Sequence, residues 1–110
     1  MKILYYKVDK EPQVLLIPRE NKDIQELVHG SYECYQVNEK ILIICNRDGW
    51  NLGLGVNRLV LSKDGNIKQA IRGDFFVCGV GKDDFVSLTD SQIKKLIKYS
   101  YGDKYPGWIQ

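Results

Sequence analysis

The sequence predicts an α+β fold: a single domain whose largely antiparallel sheet of about five to six strands carries two helices packed on one face. Three observations lead there. Segments rich in β-branched and aromatic residues follow one another across short turns, as antiparallel neighbours do. Only two stretches space their apolar residues for a helix, one opening at Asp23 and one at Thr89. These helices do not alternate with the strands, as a parallel βαβ sheet would require. At 110 residues the chain has the length of one domain and can bury a core without disulfide or metal staples.

In order, Ile3 to Val8 reads as a strand, Asp9-Lys-Glu-Pro12 as a turn, and Val14 to Ile17 as a second strand closed by Pro18, so the two form a hairpin. Asp23 with Glu26 three residues on opens a short helix whose Ile24, Leu27 and Val28 share one face. Gly30 is its expected left-handed cap. Tyr32 to Val37 alternates as a strand does, and Asn38-Glu-Lys40 turns the chain. Ile41-Leu-Ile-Ile-Cys45 is a continuous apolar run, which marks a strand covered on both faces and belongs at the sheet centre. Asp48-Gly49 and Asp64-Gly65 are turn dipeptides, and Asn51 to Asn57 reads as an ordered surface loop. Leu59 to Leu61 and Ile67 to Ile71 form a small hairpin around Lys63-Asp-Gly-Asn66. Phe75 to Cys78 is a further strand, which Phe85 and Val86 extend or pair with. Thr89 and Gln92 make a capping box before a helix that buries Ile93, Leu96, Ile97 and Tyr101 and stops at Gly102. A basic and aromatic tail follows, from about residue 103 to residue 110.

The charge balance, sixteen basic against fourteen acidic residues, does not demand a nucleic-acid partner. The excess is local: Lys94, Lys95, Lys98 and Lys104 face only Asp103 over residues 91–110. Cys34, Cys45 and Cys78 are odd in number and lack paired spacing, so they read as buried, reduced thiols in a reducing, cytoplasmic compartment. No apolar run reaches the roughly 18 residues of a membrane span, and the opening residues do not form a signal peptide.

Several segments together resemble DUF3846, a family of small proteins found largely on phages and mobile elements of Gram-positive bacteria. They are the opening strand, Ile24-Gln-Glu-Leu-Val-His-Gly30 with Tyr32-Glu33, Ile41 to Asn46 with Asp48-Gly49, Asn57-Arg58, Gly73-Asp-Phe-Phe-Val-Cys-Gly79, and Asp84 to Asp90. Two departures stand out. His29 occupies a place where a glycine paired with Gly30 is expected, and Gly53-Leu-Gly-Val56 replaces a proline-containing lead-in to Asn57-Arg58. The resemblance implies an accessory gene product, and some small phage inhibitors of bacterial immune nucleases look similar.

The residues point to no reaction. A Ser-His-acid or Cys-His site needs an oriented histidine beside a nucleophile; His29 is the single histidine and sits at a helix end, where it faces the last carbonyls. Adjacent Asp83 and Asp84 read as a charged turn rather than a metal site, so neither metal nor cofactor is expected. Gly53-Leu-Gly55 and Gly79-Val-Gly81 precede no helix, as phosphate-binding loops must. The leading candidate surface is Lys94, Lys95, Lys98, Tyr99, Lys104, Tyr105 and Trp108, cations mixed with the aromatic residues that anchor interfaces. An alternative is a ligand loop of Gly53, Gly55, Asn57, Arg58 and Arg72.

The reading that follows is a non-enzymatic phage or mobile-element factor. It occupies a host protein, such as a defence nuclease of the CRISPR or restriction kind. The other reading is a nucleic-acid or nucleotide-binding module that uses the glycine loops and the basic surface. No membrane partner is expected.

Overall fold

The computed structural model describes residues 1–62, 64–100 and 109, with only the backbone for residues 99 and 100. The expected turn residue Lys63, the helix end at Tyr101 and Gly102, and the tail apart from Ile109 lie outside the described residues. The elements are β1 (Lys2–Tyr6), β2 (Gln13–Leu16), α1 (Asn21–Val28), β3 (Tyr32–Gln36), β4 (Ile41–Asn46), β5 (Val56–Leu61), β6 (Ile67–Arg72), β7 (Phe75–Val80), β8 (Phe85–Val86) and α2 (Asp90–Ser100). The fold is α+β. The main sheet is antiparallel in the order β2-β1-β7-β4-β3, and β5 and β6 make a separate two-stranded sheet. Gly79 pairs with both Ile41 and Val86, so β8 takes up β7 on the side where β1 leaves off.

Two expectations about this sheet are corrected. The centre is β7, with β4 beside it. The helices pack on opposite faces, not on one. Ile24 and Val28 of α1 join Ile3, Tyr5, Ile44, Phe76 and Cys78, whereas Ile93 and Leu96 of α2 join Leu4, Tyr6, Ile43, Phe75 and Val77. The physical reason is visible in the strands. Successive residues of β1 and β7 are buried on alternate sides, so the sheet exposes apolar surface both ways and needs two covers. On the α2 side the β5–β6 hairpin completes the cover through Val60 and Ile71. Ile109 bridges to Val60 and is 2% exposed, so this residue joins the same layer.

The helix ends also differ at α1. It starts at Asn21 after Glu20, which gives no side-chain cap, and Asp23 falls in its first turn. His29, not Gly30, takes the left-handed conformation (φ 64°), while Gly30 N–H donates to Gln25 O at 2.9 Å and closes the helix. A histidine therefore stands at the position where a glycine is cheapest. At α2 the capping box is present: Thr89 N–H donates to Gln92 Oε1 (2.8 Å) and Gln92 N–H donates to Thr89 Oγ1 (3.1 Å).

Candidate binding cleft

The segment after β4 builds one wall of a concavity on the described surface. Asn46 is buried and polar, and its bonds tie the end of α1 to the turn that follows β4. Its Nδ2 donates to Val28 O (3.0 Å) and His29 O (3.3 Å), taking up carbonyls that α1 leaves without partners, and its Oδ1 accepts from Asp48 N–H (2.7 Å). The chain then turns at Gly49, where a Cβ would stand 3.1 Å from Arg72 Cβ. Leu52 N–H to Asp48 O, Gly53 N–H to Trp50 O and Leu54 N–H to Gly49 O bind the loop into a compact turn. A turn this tight has no interior, so its aromatic side chain points out: Trp50 is 76% exposed. Arg72 Nη1 donates to Leu54 O (2.9 Å), and its guanidinium lies 4.4 Å from the Trp50 ring centroid.

Between this turn, the end of β4 and β6 lies a cleft of about 270 Å³, lined by Glu33, Arg47, Trp50, Gln69, Ile71 and Arg72 among others. Cys45 is also in its wall. Burial first, and then the charges of Glu33 and Cys34, push its thiol up to about 12, so it stays protonated and unreactive at neutral pH. The side chains of Arg47 and Glu33 make no ion pair among the described residues. Sequence reasoning missed Trp50, Arg47, Gln69 and Glu33. The available signal was Trp50 itself, set between the turn dipeptide Asp48-Gly49 and a glycine-rich loop that has no apolar stripe to bury it.

Of the alternative ligand loop, the fold brings only Arg72 into the cleft. Asn57 Nδ2 donates to Tyr6 O and Gly73 O (both 2.9 Å), which ties the small sheet to β1 and to the β6–β7 turn. Arg58 donates to Asn57 O, Asn57 Oδ1 and Lys10 O and lies over the Tyr6 ring, itself stacked on Phe75 at 4.7 Å. These two residues hold the fold together. Gly53 and Gly55 have open space where a Cβ would go, but the amides of Leu52, Gly53 and Leu54 are spent on closing the turn. Gly79 and Gly81 lie on or beside β7, where a Cβ would meet Val86 at 2.8 and 2.6 Å, so they admit β8 at close range.

The expected basic surface is part-described. Lys94, Lys95 and Lys98 are exposed on α2. Lys95 joins Lys40, Ile41 and Leu96 around a slot of about 110 Å³. The side chain of Tyr99, and Lys104, Tyr105 and Trp108, lie outside the described residues. His29 faces Asp74 rather than helix carbonyls: Nε2 lies 3.0 Å from Oδ2, and Asp74 Oδ1 accepts from Val8 N–H (2.8 Å). Cys34 corrects the expectation for the thiols, because it is exposed on the edge strand β3, whereas Cys45 and Cys78 are buried.

Residues 1–101 match the family model described as Domain of unknown function (DUF3846). The chain belongs to the DUF3846 family. Its cleft and α2 lie wholly inside the matched region, and Lys104, Tyr105 and Trp108 lie beyond it. No curated protein and no solved structure matches this DUF3846 chain. The family description states no activity.

Proposed function

We propose that this DUF3846 protein is a non-enzymatic binding protein, an accessory factor of a phage or mobile element that occupies a protein of its bacterial host. Its effect in this reading is to inhibit a defence nuclease of the CRISPR or restriction kind. The observation that supports binding is Trp50, 76% exposed yet fixed from one side by Arg72. Trp and Arg are the residues over-represented among interface hot spots, and an aromatic ring already held in place loses little freedom on association. Exposed Leu52 and Val56 lie on the same loop and the strand that follows it. The phage setting and the nuclease target are supported by the family resemblance.

The test uses the whole chain as bait in lysate of the bacterial host, with and without nuclease treatment, beside a Trp50→Ala variant. The expected result is a defined host protein retained after nuclease treatment by the parent and lost by Trp50→Ala. Retention only in untreated lysate points instead to the nucleic-acid reading. Equal retention by both baits overturns Trp50 as the anchor. The nuclease part is then checked by assaying the recovered protein's cleavage with and without the parent chain.

The exposed lysines of α2 act on encounter rather than on the final contact. Replacing Lys94, Lys95 and Lys98 by Ser should slow association and flatten its salt dependence, with the dissociation rate held. Binding kinetics at two salt concentrations against the recovered protein read this directly. Unchanged association confines recognition to the cleft.

A further inference from the structure

We propose that the cleft beside Trp50 is a socket for a carboxylate side chain on an extended segment of the partner protein, a proposal that rests on the protein-binding reading above. Three observations converge on that chemistry. The first is charge. Arg47 and Arg72 both line the cleft against the single carboxylate of Glu33, and the Arg47 guanidinium makes no hydrogen bond or ion pair among the described residues. Arg72 is held in position by Leu54 O and the Trp50 ring, with Nη1 the nitrogen engaged. A fixed Arg72 and an unpaired Arg47 in the lining of one cleft suit a carboxylate, which accepts several N–H donors at once.

The second is size. About 270 Å³ falls below the usual range of small-molecule and cofactor pockets, which begins near 300 Å³, and suits one or two side chains. The walls beside the arginines are apolar, Ile71 and the open face of Trp50, so an apolar residue next to the acid is accommodated too. The third is the neighbouring sheet edge. β3 pairs with β4 on one side and ends the main sheet on the other, and Glu33 in the cleft wall belongs to β3. An extended segment laid along that edge finds backbone groups that no strand among the described residues pairs, and it directs alternate side chains toward the cleft face. Glu33 at the rim repels a second acid and favours a cation beside the first, which sets a charge pattern rather than a plain preference for negative charge.

The experiment is selection of a displayed random dodecapeptide library on the immobilised whole chain, followed by titration of the synthesised winners. Peptides that carry Asp or Glu beside an apolar residue should be enriched. Arg47→Gln should weaken them about tenfold, the loss expected for one charge-assisted contact. Arg47→Glu should move the enrichment toward Lys- or Arg-bearing peptides, an inversion that a misfolded variant cannot produce. Arg19→Gln, on the β2–α1 loop, should change nothing. No enrichment, winners without a carboxylate, winners indifferent to Arg47, or stronger displacement by a thymidine oligonucleotide than by free acidic peptide would each overturn the socket. If the pull-down returns a Trp50-dependent host protein whose affinity ignores Arg47→Gln, protein binding stands and the carboxylate socket alone falls.

Discussion

At the scale of single residues, the side chains that matter most are polar ones that close the backbone's accounts. Asn46 takes up two α1 carbonyls and orients Asp48. Asn46→Ala leaves buried acceptors without donors and should cost about 1–3 kcal/mol; chemical denaturation measures it, and a change within error would deny Asn46 this role. The thiols separate by exposure. Cys34 should react with a thiol reagent in the native state, while Cys45 and Cys78 should react only on unfolding. Slow labelling of Cys34, or fast labelling of either other thiol, contradicts the packing. Burial also raises the Cys45 and Cys78 thiols to about 12, and burial followed by the charge of Asp74 does the same for the Tyr5 phenol. Free thiols in the unfolded chain release their protons from about pH 9, whereas the folded ones hold theirs to about pH 12. The unfolded state therefore binds fewer protons across that window, so stability is fully present below pH 9 and falls as pH rises toward 12. A denaturation midpoint that stays level across that range would refute it.

At the scale of elements, the two helices are closed by different devices. α2 begins with a reciprocal capping box, and Thr89→Ala should cost about 0.5–2 kcal/mol. The same substitution with an unmoved midpoint would mean that the tertiary contacts of Ile93 and Leu96 alone fix the helix start. α1 has no side-chain cap at Glu20 and ends on a left-handed His29. It is held by Ile24 and Val28 in the core and by Asn46 at its end. The strained histidine is offset in part by its contact with Asp74, which fastens the start of the β1–β2 turn through Val8. The left-handed site explains why a glycine is the expected residue there.

At the scale of the molecule, a six-stranded sheet is covered on one face by α1 and on the other by α2 together with the β5–β6 hairpin. The hairpin hangs on Asn57, whose amide reaches Tyr6 O and Gly73 O, and on Val60 and Ile71. Asn57→Ala should leave the main sheet intact and raise the exchange rates of β5 and β6 amides selectively. Hydrogen exchange resolves the two, and uniform acceleration across both sheets would show that the hairpin does not open separately. This layer also decides the candidate site, since the cleft forms where β6 meets the ends of β3 and β4.

The fold class was written in the sequence by local rules: turn dipeptides, apolar alternation, the Thr89–Gln92 spacing and two helical stripes are short-range patterns, and each produced the expected element within a few residues. The continuous apolar run of β4 even carried the information that the sheet is covered on both faces. Tertiary structure alone decided which helix took which face, because a helical stripe states that it is buried and not against what. It decided that Cys34 sits on an open edge, because β3 becomes an edge only once β7 separates β1 from β4. It also decided the cleft, whose Arg47, Trp50 and Arg72 are brought together from the β4–β5 loop and the far end of β6. Asn57 and Arg58 are adjacent in the chain to that loop, yet they serve packing. Contacts across such separations follow from how layers stack, and no local spacing encodes them.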